Sequence, residues 1–140
     1  MVFNITYKDN NIREEIDQLV GKPFSFLERF RKGGIGSRRM IILEASVNLQ
    51  SFLSPDHYPT YSSIELRPKG ILLYVNQGLK RFAWAIPFYQ LVIYQSTNFT
   101  IHSKGDFIRY RATNDPVHHQ FIRKLVAAKA DNTSSVYPEH

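Results

Sequence analysis

The chain has no cysteine, which excludes disulfide bridges, zinc–thiolate sites and cysteine nucleophiles. It also lacks a long apolar run. The longest nearly apolar stretch, Phe82 to Tyr94, is interrupted by Pro87 and Gln90 and is too short to cross a bilayer as a helix. The first residues, Met1-Val2-Phe3-Asn4-Ile5-Thr6-Tyr7-Lys8-Asp9, do not have the basic-then-apolar layout of a signal peptide. The expectation is a soluble, cytoplasmic protein without a transmembrane segment.

Chemistry-bearing constellations are missing as well. Gly33-Gly34-Ile35-Gly36-Ser37-Arg38-Arg39 is glycine-rich and basic, but no strand precedes it. It matches neither the P-loop nor the dinucleotide fingerprint, so a flexible connector is expected there rather than a phosphate cradle. His118 and His119 are neighbours on an expected helix, so their side chains diverge by about 100° and chelate one metal poorly. His57 follows Asp56 in a loop, and sequence adjacency does not make a catalytic dyad. His102 alternates with Phe99 and Ile101 and is expected at the surface. Glu14, Glu15 and Asp17 form a solvated helix face. The expectation is therefore no catalytic residue, no metal ligand and no cofactor: not an enzyme.

What is present suits one globular domain. The 140 residues are 43% hydrophobic and 14% aromatic, enough for a single core and too little for two. The formal charge of +6 is unevenly placed. In residues 62–113 it rests on Arg67, Lys69, Lys80, Arg81, Lys104, Arg109 and Arg111 against Glu65 and Asp106 alone. Residues 1–61 nearly balance. The positive middle can attract an anionic partner, or its cations can simply line the solvent face of a sheet.

Residues 1–8 suit an edge strand or an arm. Asp9-Asn10-Asn11 offers a cap for a helix over Ile12–Val20, with Ile12, Ile16, Leu19 and Val20 on one stripe, closed by Gly21 and Pro23. Ser25-Phe26-Leu27-Glu28 has capping-box form and predicts a short helix to about Lys32, with Phe26, Leu27 and Phe30 turned inward. Met40–Gln50 alternates as a strand that buries Ile41, Leu43, Ala45, Val47 and Leu49. Residues 51–61, with two prolines and Asp56-His57, form a loop long enough to cover something.

From Ser62 to Thr113 short strands follow one another between tight turns. Ile64 and Leu66 lead to the turn Arg67-Pro68-Lys69-Gly70. Ile71–Val75 is apolar on both faces. In Lys80–Phe88, Phe82, Trp84 and Ile86 share one face, with Arg81, Ala83 and Ala85 on the other. Leu91–Gln95, Phe99–Ser103 and Phe107–Arg111 complete an antiparallel meander, the last two joined at Lys104-Gly105-Asp106. Asp115 and Pro116 start a helix with Val117, Phe121, Leu125 and Ala128 as its apolar stripe and Ile122 alongside. Asp131–His140 is expected to fray.

A meander closed by one amphipathic helix resembles the pleckstrin-homology superfold, in its bacterial PH-like and GRAM-like forms, over residues 40–130. The resemblance is carried by Ser63-Ile64-Glu65-Leu66-Arg67-Pro68-Lys69-Gly70-Ile71-Leu72-Leu73-Tyr74 and by Phe82-Ala83-Trp84-Ala85-Ile86-Pro87-Phe88-Tyr89-Gln90-Leu91. It implies an α+β fold. A mostly antiparallel meander forms a partly open barrel, capped by the C-terminal helix through Phe121 and Leu125. Residues 1–39 then make an N-terminal extension with one or two short helices, and 131–140 a flexible tail. Members of that superfold mostly bind lipid headgroups, peptides or proteins. Its basic headgroup signature is similar to Lys104-Gly105-Asp106-Phe107-Ile108-Arg109-Tyr110-Arg111, although here the pattern lies on the last hairpin instead of the first.

The expected function is a non-enzymatic interaction module that binds a protein partner or its own copies. Pro87, Phe88 and Tyr89 would form an exposed edge for an added strand. The alternative is an anionic-ligand module, for a lipid headgroup or nucleic acid, using Lys69, Lys104, Arg109 and Arg111. Phe107 and Tyr110 beside those arginines would serve for stacking on bases.

Overall fold

A computed structural model describes residues 1–55 and 58–136. Asp56 and His57 lie outside the described residues, as do 137–140. Eight antiparallel strands form one sheet in the order β1-β5-β4-β3-β2-β8-β7-β6. They are β1 (Val2–Asn4), β2 (Met40–Ala45), β3 (Tyr61–Arg67), β4 (Gly70–Gln77), β5 (Lys80–Pro87), β6 (Val92–Gln95), β7 (Phe99–Ser103) and β8 (Asp106–Tyr110). Among the described residues β1 and β6 do not pair, so the sheet stays open. Three α-helices accompany it: α1 (Asn10–Val20), α2 (Phe26–Arg31) and α3 (Pro116–Val136). Among the described residues no helix is long and apolar enough to cross a membrane.

Strand β2 is the seam. Met40 and Ile41 pair with β3, and Ile42 to Ala45 pair with β8 across a register shift between Ile42 and Glu44. The extra residue of such a bulge inverts which side chains face inward. Met40, Ile42 and Ala45 are therefore buried, while Leu43 and Val47 are exposed. This corrects the expected buried set at Ile41, which is half-buried, and at Leu43 and Val47; Ala45 and Leu49 are buried as expected. The strand also ends at Ala45, and a 3-10 turn, Val47–Phe52, brings Leu49 back into the core. Across the seam, the Tyr110 hydroxyl and Ser62 Oγ lie 2.8 Å apart, and Ser62 Oγ donates to the Tyr74 carbonyl at 2.6 Å. Burial pushes the Tyr110 phenol well above its ordinary pKa, so it stays a neutral donor.

Both faces of β4 and β5 are covered, as the apolar run Ile71–Val75 implies. One face joins the main core with Ile71, Leu73, Trp84 and Ile86, where α3 adds Phe121, Ile122 and Leu125. The other face offers Leu72, Ala83 and Ala85 to Ile16 and Val20 of α1, with Phe3 of β1 beside them. The alanines are small, which lets α1 lie close. Gly70 shows how close: a Cβ there would meet the Ile86 carbonyl oxygen at 2.3 Å and Val20 Cγ1 at 2.9 Å.

Helix α1 starts as its sequence dictates. Asp9 accepts from the amides of Asn11 and Ile12, and Gly21 ends the helix at φ 88°, where only glycine is comfortable. A buried ion pair then locks it to the sheet. Arg67 on β3 meets Glu65 at 2.6 Å and Asp17 of α1 at 3.1 Å, and donates to the Gly21 carbonyl at 2.9 Å. Burial works against the Arg67 charge, but the Glu65 and Asp17 carboxylates more than offset it and keep its pKa raised.

Helix α2 has its capping box: Glu28 N donates to Ser25 Oγ and Ser25 N to Glu28 Oε1. Its apolar face does not turn inward. Phe26 is 86% exposed, Leu27 57% and Phe30 79%, because the neighbouring Phe24 and Ile35 take the core positions available to this segment. The connector after α2 is ordered. Ile35 is buried, its carbonyl accepts from Leu66 N at 2.7 Å, and Ser37 N donates to the Ile64 carbonyl at 2.8 Å. Helix α3 starts at Asp115-Pro116 as expected, with Val117 N donating to Asp115 Oδ1. Its buried stripe begins at His118 rather than Val117. The helix continues through 131–136, where Asn132 donates to the Pro68 carbonyl, so that part of the expected tail is helical.

Candidate anion-binding groove

The start of β2, the end of β8 and the start of α3 meet at a groove of about 380 Å³ lined by Arg38, Arg39, Arg111, Thr113, Asp115 and His118 among others. Each cation is placed by backbone. Arg38 and Arg39 follow the Ile35–Ser37 segment clamped on β3, and Ser37 Oγ accepts from Ile64 N. Arg111 extends the β2–β8 pairing, its amide donating to the Ile41 carbonyl at 2.9 Å. Arg39 lies over the Tyr61 ring at 4.1 Å, which holds the guanidinium in place at low entropic cost.

One carboxylate stands among these three guanidiniums. Asp115 Oδ2 pairs with Arg38 Nε at 3.1 Å while Oδ1 caps α3. At the base of the groove His118 is 4% exposed, edge-on to Phe99. Its Nδ1 is a buried polar atom with no hydrogen-bond partner among the described residues. Such a group typically costs about 1–3 kcal/mol unless a ligand or water satisfies it. Burial depresses the His118 pKa, the neighbouring His119 adds to this, and Asp115 opposes it. The ring is therefore neutral near pH 7. Guanidinium groups are suited to phosphate and carboxylate oxygens, which they grip in pairs.

The four cations singled out in the sequence do not converge. Lys69 sits in the β3–β4 turn, its amide bonded to the Val20 carbonyl. Lys104 is at the β7–β8 turn, at the opposite end of β8 from the groove. Arg109 is engaged by Glu44 across the β2–β8 pair. Arg111 alone reaches the groove. Its companions Arg38 and Arg39 belong to the loop read as a connector, and His118 to a pair set aside for diverging. A finer charge count would have found the arginines. Residues 22–39 hold Lys22, Arg29, Arg31, Lys32, Arg38 and Arg39 against Glu28 alone, an excess masked by the acidic α1 when residues 1–61 are summed.

Two other expectations are corrected. Pro87 and Phe88 form no exposed edge: β5 is flanked by β1 and β4, and Phe88 is 2% exposed. Tyr89 alone of the three is exposed. Tyr110 is fully buried and presents no ring for base stacking. A second cleft of about 660 Å³ shares Arg39 with the groove and is lined by Pro55, Tyr58, Tyr61 and Asn76. No family model matches the chain, and no curated protein or solved structure matches it either.

Proposed function

We propose that the chain is a non-enzymatic binding module, PH-like in architecture, that takes a phosphate-bearing anion in the groove of Arg38, Arg39, Arg111 and His118. The observation that carries this reading is the meeting of three guanidiniums from two separate strand ends over His118 Nδ1, which has no partner among the described residues. The PH-like assignment rests on two antiparallel meanders, β2 to β5 and β6 to β8, joined by the β2–β8 pairing and followed by α3. Lipid headgroups and nucleic acids share the phosphate chemistry.

Calorimetric titration with pyrophosphate at low salt tests the groove. Binding is expected, and Arg111→Ala should weaken it about tenfold, the scale of one charge-assisted hydrogen bond. Heat-silent mixing, or an unchanged affinity in the variant, would sink the reading. A soluble inositol phosphate and a single-stranded oligonucleotide then separate the two sources. Sulfate, which does not titrate near neutrality, should bind more tightly as the pH drops below 6.5, the ordinary histidine value. An anion at Nδ1 favours the protonated ring.

A second reading, self-association, is favoured by β6. Among the described residues this strand is paired on one side only, with Val92 and Tyr94 exposed, and an open edge accepts another strand. Light scattering across concentration decides it: a monomer throughout, or a dimer untouched by Tyr94→Lys, removes this reading.

A further inference from the structure

Phe26, Leu27 and Phe30 stand on one face of α2, at spacings of three and four residues that bring side chains together, and all three are exposed. Apolar side chains scattered singly on a surface need no explanation, but three on one face of a short helix do. The helix is held at both feet. Before it, the Gly21 carbonyl accepts from Arg67, and Phe24 packs on the core. After it, Lys124 Nζ on α3 donates to the Gly33 and Gly34 carbonyls at 2.9 and 3.3 Å, and Ile35 is buried. The apolar face is thus presented by a fixed frame.

Cations surround it. Arg29 and Arg31 lie on the helix and Lys22 and Lys32 on either side of it, and all are exposed. The one acidic side chain on α2, Glu28, is spent on the cap of Ser25. Arg29 Nε donates to the Phe24 carbonyl, and Lys32 lies over the Phe24 ring, so both side chains lie back toward the loop base.

We infer that α2 is a membrane-docking wedge, inserting Phe26, Leu27 and Phe30 into the headgroup boundary of an anionic bilayer while the surrounding Lys and Arg side chains meet its phosphates. A protein groove is a poorer occupant. Groove-binding helices use anchors through position i+7, and α2 has six residues. A fluid interface requires no shape complementarity, only an apolar tip and a cationic rim. The inference stands on residues apart from the groove and does not need the groove to bind anything.

The test is co-sedimentation of the full chain with phosphatidylcholine vesicles, with and without phosphatidylglycerol. Binding to the anionic vesicles that weakens with added salt is expected. Replacing Phe26, Leu27 and Phe30 together by Ser should reduce it by about a hundredfold or more, since each buried large apolar side chain is worth about tenfold. The melting temperature should not move, because these side chains touch little. Leu27→Trp should shift its emission to the blue on anionic vesicles, and Arg111→Ala should still bind them. The inference is overturned if the wild-type chain stays in the supernatant or if the triple variant binds as well. It is equally overturned if Arg111→Ala abolishes vesicle binding while the triple Ser variant retains it, which would assign headgroup capture to the groove. Self-association that depends on Phe26, without vesicle binding, also overturns it in favour of a second copy of the chain.

Discussion

Helices α1 and α2 lie in the same thirty residues and begin with equally good caps, yet they end in opposite situations. Asp9 caps α1, and Ile16 and Val20 vanish beneath it. Ser25 and Glu28 cap α2 reciprocally, and no residue of α2 is buried. Capping therefore decides that a helix starts; it says nothing about which face finds a partner. The partner is decided by the surface the sheet offers. Leu72, Ala83 and Ala85 leave a shallow apolar seat for α1, and Arg67 reaches up to fasten it. No comparable seat receives α2, so its apolar side chains stay out.

The sharpest way to break this contrast is to remove the fastening. Arg67→Ala leaves Glu65 and Asp17 without their cation and the Gly21 carbonyl without its donor. Allowing for the partial exposure of both carboxylates, it should destabilise the fold by about 3 kcal/mol, read as a lower urea midpoint. A midpoint within error of wild type would mean that packing alone holds α1.

Next comes a matched pair of truncations. Ile16→Ala empties a filled site and should cost about 2–3 kcal/mol. Phe30→Ala removes a larger side chain from solvent and should stay within about 0.5 kcal/mol. Equal losses in urea denaturation would show that Phe30 packs against something.

The smallest effect is in pH. The Ser25 amide, then the Ser25 hydroxyl, hold the Glu28 carboxyl below its ordinary value of 4.5. A depressed carboxyl supports its helix above its unfolded pKa and loses that support as the pH falls through the folded one. Acidification below about pH 4.5 should therefore speed amide exchange in α2 first, while α1 stays protected. Simultaneous loss in both helices would show that they melt as one unit.

Much of the architecture was legible because local chemistry dictates it. The caps at Asp9, Ser25 and Asp115, the stop at Gly21 and the strands from Tyr61 to Tyr110 all follow from neighbouring residues. The α+β class and the antiparallel pairing within β2–β5 and within β6–β8 follow from their order, but the single expected meander is corrected: β5 does not pair with β6, and β8 closes on β2 instead. What was illegible depends on distant surfaces. The bulge in β2 reversed an alternation that looked clean from Met40 to Gln50. Phe88 turned inward because the 3-10 turn after β5 packs against α3. His118 took the helix's inner face ahead of Val117 because Phe99 offered it an aromatic wall. Arg67 looked like a turn residue, and nothing nearby in sequence announces Asp17 as its partner. The groove was invisible for the same reason: Arg38, Arg39 and Arg111 are brought together only by the pairing of β2 with β8.

The pairing of β1 with β5 has a consequence in time. Val2 lies opposite Trp84 and Asn4 opposite Phe82, so β1 leaves the ribosome ahead of its partner and waits for it over about 80 residues. At translation speeds of about 5–20 residues per second, that delay is about 4–16 s. Helix α1 shares the wait, since Ala83 and Ala85 form part of its seat. Strand β1 and helix α1 therefore cannot settle before β5 has emerged, and until then Phe3, Ile16 and Val20 stay without the surface that buries them.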